Sequence, residues 1–256
     1  MDYNGLLGMV TEFGYRLQSG GAEIYRVEES VSRLLAAYGV DNPEVFAIPN
    51  CLIVSFSTPE GEAKTTMRRI SYQSTNISLI EAYSDLCRRL CRQPVPIQEA
   101  WEAMERIEAD AKHYPLRVRL LGYFIGTGGF SLFFGGTWQD AVAAGICGVA
   151  IGLCVSAMAG VKTNLFVKTL VTAFISALLA VILVELGVGQ NPNFITIGAL
   201  MALVPGIVFT NFMRDIMAGD MVAGLIKLTE ALLIAAAIAV GTGVAMALVK
   251  MVGGIL

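Results

Sequence analysis

The sequence predicts an α-helical membrane protein with five transmembrane helices, preceded by a small cytoplasmic α+β domain. The first reason is a change in composition near Tyr114-Pro115. Up to Tyr114 the chain of 256 residues carries 11 Lys and Arg and 16 Asp and Glu, whereas only 7 and 5 follow. The second reason is that the remainder consists of five long apolar runs separated by short polar loops. We therefore divide the chain into residues 1–114 and 115–256.

The acidic first part has the periodicities of a small mixed domain. Ser19-Gly20-Gly21 ends a first helix, because glycine tolerates the left-handed conformation that closes a helix. Apolar residues then recur on one helical face after Ala22, and alternating runs separated by Pro49-Asn50 and Thr58–Gly61 are typical of strands. Helices are predicted at 4–18, 22–38, 77–92 and 97–112, and strands at 44–48, 51–57 and 63–70.

Each of the five apolar runs can cross about 30 Å of hydrocarbon, which takes roughly 20 helical residues. They lie near 116–134, 141–160, 165–186, 194–212 and 221–249. Arg117 and Arg119 lie at the start of the first run, Lys162 and Lys168 flank the second loop and Arg214 lies in the fourth, whereas the first and third loops carry no Lys or Arg. This asymmetry makes the N-terminus and the second and fourth loops cytoplasmic, and Lys250 is one charge against it. Gly145, Gly148 and Gly152 in the second run indicate close helix packing, and Asp140 is predicted to lie at the membrane interface.

The segment with most of the candidate functional residues is LVPGIVFTNFMRDIMAGDM, residues 203–221. Proline removes a backbone donor and clashes with the preceding turn, so a membrane helix breaks or bends near Pro205. Ionisable residues this close to a hydrocarbon span often mark ion or substrate pathways. The predicted transport path comprises Pro205, Gly206, Asn211, Arg214, Asp215, Gly219, Asp220 and Glu230.

Roles within this path stay open. Arg214 either binds a substrate carboxylate or is neutralised by Asp215 or Asp220. Glu230 could carry a coupling proton if burial raises its pKa. The alternative without a transport role is a proline kink followed by an ordinary cytoplasmic loop.

A second polar cluster includes Ser19, Gly20, Glu23 and Glu28. Acids at a helix start are favoured by the helix dipole, so a helix cap with domain contacts competes with a ligand or gating site. A catalytic role is not predicted, because Ser19 has no evident base and the only histidine, His113, lies at the membrane boundary. No cofactor or metal is predicted, and no basic face suggests nucleic acid.

The stretch SGGAEIYRVEESVSRLLAAYG resembles the N-terminal signature of the threonine/serine exporter family. The elements Leu203–Gly206, Asn211–Asp215, Gly219–Asp220 and Gly224–Ala231 resemble its membrane signature. By position, the matches are Pro205, Gly206, Asn211, Asp215, Gly219 and Asp220, with Ser19, Gly20, Glu23 and Glu28 in the soluble part. This chain has one glycine more than the Ser-Gly-Ala-Glu of the family. The size and layout resemble the larger, YjjP-like subunit of the split form.

The resemblance implies a subunit of an exporter of threonine and serine, or of a dicarboxylate such as succinate, driven by the proton gradient in a bacterial inner membrane. It also implies a small YjjB-like membrane partner. Because the Pro-Gly…Arg-Asp stretch occurs once, a partner or a second copy of the chain should supply the other half of the transporter. Two alternatives stay open: a membrane-tethered enzyme, and a ligand sensor acting through the soluble domain.

Overall fold

The computed structural model describes residues 1–71, 73–111, 114–160 and 164–253. Its elements are α1 (Tyr3–Ser19), α2 (Ile24–Ala37), β1 (Glu44–Ile48), β2 (Cys51–Ser57), β3 (Ala63–Arg69), α3 (Ile77–Arg92), α4 (Ile97–Ala109), α5 (Leu116–Phe133), α6 (Trp138–Ala157), α7 (Leu165–Glu185), α8 (Pro192–Leu200), α9 (Gly206–Ala218) and α10 (Met221–Gly253). The helices and strands predicted for residues 1–114 are confirmed, with small shifts at their ends. Lys112, His113 and Lys162 lie outside the described residues.

The chain forms two compact units that do not follow the sequence order. The first contains Met1–His113 together with Phe209–Leu228, and the second contains Tyr114–Val208 together with Thr229–Leu256. The charged half of the predicted transport path therefore belongs to the same unit as the N-terminal elements. The assignment of residues 1–114 to the cytoplasm stays a prediction.

In the first unit, a three-stranded antiparallel sheet runs in the order β1-β2-β3. Leu52, Val54 and Phe56 of β2 are buried while the residues between them are partly exposed, because side chains of a strand alternate between two faces. The core of this unit combines those residues with the apolar stripes of α1 and α2, including Phe13 and Val31.

The end of α1 is a tight glycine turn. Gly21 N–H donates to the Gln18 carbonyl and Ala22 N–H donates to the Leu17 carbonyl, which is the Schellman arrangement. Gly21 has φ +96°, and a Cβ built there would lie 2.4 Å from the Ser74 carbonyl oxygen. The predicted left-handed glycine is confirmed, and it is the second glycine of the pair.

Among the described residues, three helices are long and apolar enough to cross a membrane: Trp138–Gly160, Leu165–Glu185 and Met221–Met251. The fourth apolar run is interrupted, since α8 ends at Leu200 and α9 begins at Gly206 after Pro205. The predicted break near Pro205 is confirmed, because proline cannot continue the helix that precedes it. The count of five spans stays a prediction.

In the second unit, small residues let α5 and α6 pack closely. A Cβ on Gly148 would lie 2.2 Å from Thr127 Oγ1 and 2.8 Å from the Tyr123 carbonyl, and one on Gly145 would lie 2.6 Å from the Phe124 ring. The glycines of α6 thus serve ordinary helix packing, as their spacing indicates.

Asp140 of α6 is a buried structural carboxylate, with no exposed surface. Its Oδ2 accepts hydrogen bonds from Thr137 N at 2.9 Å and Oγ1 at 2.8 Å, and its Oδ1 accepts from Gln190 N at 2.7 Å and Asn191 N at 2.8 Å. These contacts cap α6 and hold the α7–α8 loop within the second unit. Its neighbouring backbone supplies the hydrogen bonds that burial demands. The interfacial position of Asp140 in a membrane stays a prediction.

Candidate functional site

The site in the first unit is built on the α9–α10 hairpin. Gly219, with φ +97°, closes α9 through bonds from Gly219 N to the Ile216 carbonyl and from Asp220 N to the Asp215 carbonyl. Gly224 lets the two helices approach, since a Cβ there would lie 2.5 Å from Ile216 Cγ1 and 3.3 Å from the Phe212 carbonyl. A glycine therefore stands at the closest approach of the two helices.

A buried ion pair joins the two helices just beyond this approach. Lys227 Nζ lies 2.7 Å from Asp215 Oδ2, and the side-chain exposures of the two residues are 9% and 0%. Asp215 Oδ1 has no hydrogen-bond partner within the described parts of the chain. A buried carboxylate that is only half satisfied retains the capacity to accept a further donor.

Asp220 completes this charged cluster. Burial raises the pKa of Asp220, the nearby charge of Asp215 raises it further, and Lys227 opposes both effects. Asp215 and Asp220 thus both interact electrostatically with Lys227, and their mutual repulsion favours the protonated form of Asp220.

Arg214, the neighbour of Asp215 in sequence, has a different partner. Its guanidinium forms an ion pair with Glu23, whose carboxylate also lies 3.1 Å from Arg26 Nε. Of the two roles left open for Arg214, neutralisation by Asp215 or Asp220 is not the pairing that the structure shows. Consecutive helical residues point about 100° apart, so Arg214 and Asp215 lie on different sides of α9.

Glu28 lies close enough to Asp220 for the two charges to interact. Its Oε1 accepts a hydrogen bond of 2.7 Å from the Ala47 N–H at the sheet. Burial raises the pKa of Glu28, the Ala47 bond lowers it, and the charge of Asp220 raises it again. The structure therefore brings together Glu23, Glu28, Arg214, Asp215 and Asp220, five residues of the two predicted clusters.

Other predicted residues are elsewhere. Asn211 is half-buried on α9, Pro205 and Gly206 form the break that belongs to the second unit, and Glu230 is exposed on α10, also in the second unit. Ser19 and Gly20 stand at the end of α1, and the Ser19 hydroxyl is buried with no hydrogen-bond partner among the described residues. His113 lies outside the described residues.

The residue that sequence reasoning missed is Lys227. It is not among the predicted site residues, and its pairing with Asp215 was not foreseen. The signal was present: a single lysine early in a long apolar helix needs a compensating acid.

The second unit contains a mostly apolar cavity of about 360 Å³. It is lined by Arg119, Tyr123, Thr127 and Ala202, among others, and so extends from α5 to the turn that follows α8. Arg119 is one of the cations at the start of the first apolar run. It is a cationic residue on a mainly apolar wall.

Long apolar helices, a proline-broken segment and a buried ion pair define a membrane protein of the transporter class. Residues 9–249 match the family described as "Putative threonine/serine exporter". The chain belongs to this family, as the two signatures predicted. No solved structure matches the chain significantly.

Three relatives illustrate the range of the similarity. The "Probable threonine/serine exporter" of Mycobacterium tuberculosis is 27% identical over 87% of this chain and 42% of its own length. The "Pheromone-regulated membrane protein 10" of Yarrowia lipolytica is 23% identical over 83% of this chain and 18% of its own length. The "Probable succinate transporter subunit YjjP" of Klebsiella aerogenes is 23% identical over 91% of this chain and 89% of its own length.

The chain thus spans less than half of the mycobacterial relative and nearly all of the Klebsiella relative. The latter is named as a subunit of a transporter.

Proposed function

We propose that this chain is a subunit of a secondary exporter of small amino acids, such as threonine and serine, or of a dicarboxylate such as succinate. The family membership and the names of the relatives support this class. The match in length to the relative named as a subunit supports a second component, a small YjjB-like membrane protein in an oligomeric complex. Its setting is the bacterial inner membrane, with the N-terminal elements in the cytoplasm.

The observation that carries the proposal is the buried Asp215–Lys227 pair on the α9–α10 hairpin. A buried ion pair is weak support for stability, since well-packed apolar residues often serve as well. Its presence among long apolar runs of the sequence is better explained by a charge that changes during a transport cycle.

The coupling proton is assigned to the Asp215–Asp220 carboxylates, which share Lys227. When Asp220 is protonated, the cluster is neutral, with one carboxylate balancing one ammonium group. When Asp220 loses its proton, the cluster carries one net negative charge and the two acids repel each other. Such a change in charge can bias an equilibrium between two arrangements of the hairpin.

Arg214 is the remaining cation of the segment, and in this arrangement it is held by Glu23. Binding of a substrate carboxylate by Arg214 therefore requires that this ion pair opens. The Glu23–Arg214 ion pair thus links the N-terminal motif around Glu23 to the 203–221 segment, and its opening would control access to Arg214. Glu230, which is exposed on α10, keeps only its predicted role as a second candidate for proton coupling.

The test is the efflux of preloaded, labelled threonine, serine and succinate from cells that express the chain with and without the small partner subunit. The Lys227→Met variant should abolish efflux, whereas Lys250→Met, a lysine exposed on the same helix, should leave it unchanged. If Lys227→Met exports as well as Lys250→Met does, with the chain and the partner subunit both present in the membrane, the cluster is not part of the transport path.

A further inference from the structure

A separate cavity of about 370 Å³ lies in the first unit, at the end of α1. Its volume is within the range of small-molecule sites in proteins. Its walls include Glu12, Arg16 and Ser19 of α1, Ser74 of the β3–α3 connection and Glu108 of α4. The Asp215–Lys227 pair and Asp220 are not among the described residues that line it.

Two polar atoms of its lining residues are buried without a partner among the described residues: Arg16 Nη1 and Ser19 Oγ. The rest of the Arg16 guanidinium is engaged, with Nε 2.9 Å from Glu12 and Nη2 2.5 Å from Glu105. Burial by itself would lower the pKa of Arg16, but the ion pairs with Glu12 and Glu105 and the nearby Tyr83 hydroxyl raise it overall. The lining of the cavity therefore includes a permanent cation with a spare N–H and a residue with a spare hydroxyl, which are two donors for a carboxylate.

The acidic residues that line the same cavity favour a ligand that also carries a positive charge. Glu108 Oε1 accepts a hydrogen bond of 2.7 Å from the Tyr83 hydroxyl, which leaves Oε2 as an acceptor. Both oxygens of Glu12 already face cations, Arg16 at one and Arg68 at the other, at 2.9 and 3.1 Å. A dianion would meet these acids unfavourably, whereas a ligand with an ammonium group would be attracted to Glu108.

We propose that this cavity binds a free α-amino acid as a zwitterion, with its carboxylate on Arg16 and Ser19 and its ammonium group toward Glu108. The inference rests on the arrangement of charges around the cavity and does not depend on the proposed transport role. Its ligand class is that of small α-amino acids, and a dicarboxylate lacks the ammonium group that the site requires.

The turn at Gly21 supports a preformed site. Ser74 N–H donates to the Ser19 carbonyl at 2.8 Å and Asn76 N–H donates to the Gly20 carbonyl at 2.9 Å. These bonds hold the β3–α3 connection against the end of α1, and the Ser74 hydroxyl adds a third by donating to the Ser19 carbonyl at 3.2 Å. The Ser19 hydroxyl takes no part in them, so its removal by Ser19→Ala leaves the fold of the turn intact.

The test uses the purified full chain in lipid nanodiscs, titrated with L-threonine and L-serine in a calorimeter. Ethanolamine, L-lactate and succinate serve as probes that lack the carboxylate, the ammonium group or the zwitterionic pairing, respectively. We expect binding of the amino acids only, with hydrogen exchange slowed at residues 12–21 and 73–79. Ser19→Ala should weaken binding by about tenfold, the effect of losing one hydrogen bond to a charged group.

Ser57→Ala, which removes an exposed hydroxyl at the end of β2, is the matched control and should bind as the unchanged chain does. Asp215→Asn should also keep this binding, which separates the cavity from the proposed transport site. Equal binding of succinate, or protection confined to residues 206–228, would overturn the proposal. So would Ser19→Ala binding as tightly as the control.

Discussion

The Asp215–Lys227 pair allows stability and transport to be separated by a double-mutant cycle. The perturbations are Lys227→Met, Asp215→Asn and the two changes together. With 0% and 9% side-chain exposure and a separation of 2.7 Å, the pair is buried in its own unit. Removal of one partner from such a pair costs about 3–5 kcal/mol, whereas replacement of both is often close to neutral.

The two single variants should not be equal. In Lys227→Met, Asp215 and Asp220 face each other without a cation, so we expect the full loss of about 3–5 kcal/mol. In Asp215→Asn, Asp220 remains near Lys227 and compensates part of its charge, so we expect a smaller loss, about 1–3 kcal/mol. The double variant should recover most of the stability of the unchanged chain.

The assay is thermal unfolding in nanodiscs, followed by efflux measurements on the same variants. For a chain of this size, the loss in Lys227→Met corresponds to a decrease in Tm of about 10 °C. The double variant should unfold near the unchanged Tm and yet fail to export. If it exports normally, the pair is only structural; if Lys227→Met leaves Tm unchanged, the pair is not buried as described.

Three further predictions concern the rest of the chain. Gly21→Ala should lower Tm by at least about 3 °C, because a left-handed alanine costs about 1–2 kcal/mol and its Cβ would meet the Ser74 carbonyl at 2.4 Å. Asp140→Ala should lower Tm by at least about 6 °C, since it leaves several partly buried N–H groups unpaired, whereas the exposed Glu185→Ala should not. Because the folded chain binds the Asp220 proton more tightly than the unfolded chain, stability should fall as pH rises from the ordinary pKa of 3.8 through the raised value, and Asp220→Asn should flatten that slope.

Each of these has a contrary result. If Gly21→Ala leaves the Tm unchanged, the turn at Gly21 is not left-handed. If Asp140→Ala and Glu185→Ala have the same Tm, Asp140 does not hold the α7–α8 loop. A pH dependence of unfolding that is the same in Asp220→Asn would show that other groups, such as Glu28, produce the slope.

Much of the fold was predictable because its signals are local. The alternation along β2 and the apolar stripe of α2 follow directly from the periods of strands and helices. The break between α8 and α9 follows from the covalent geometry of Pro205. The turn glycines follow from φ values that other residues rarely adopt.

The partners in the candidate site were not predictable in the same way. The sequence by itself determined which residues of the 203–221 segment carry charge, and that so many charges near apolar runs need compensation. Only the tertiary structure decided that Asp215 pairs with Lys227, twelve positions ahead, and Arg214 with Glu23, 191 positions earlier. The physical reason is that a helix turns adjacent residues to different sides, so their partners depend on which element packs there.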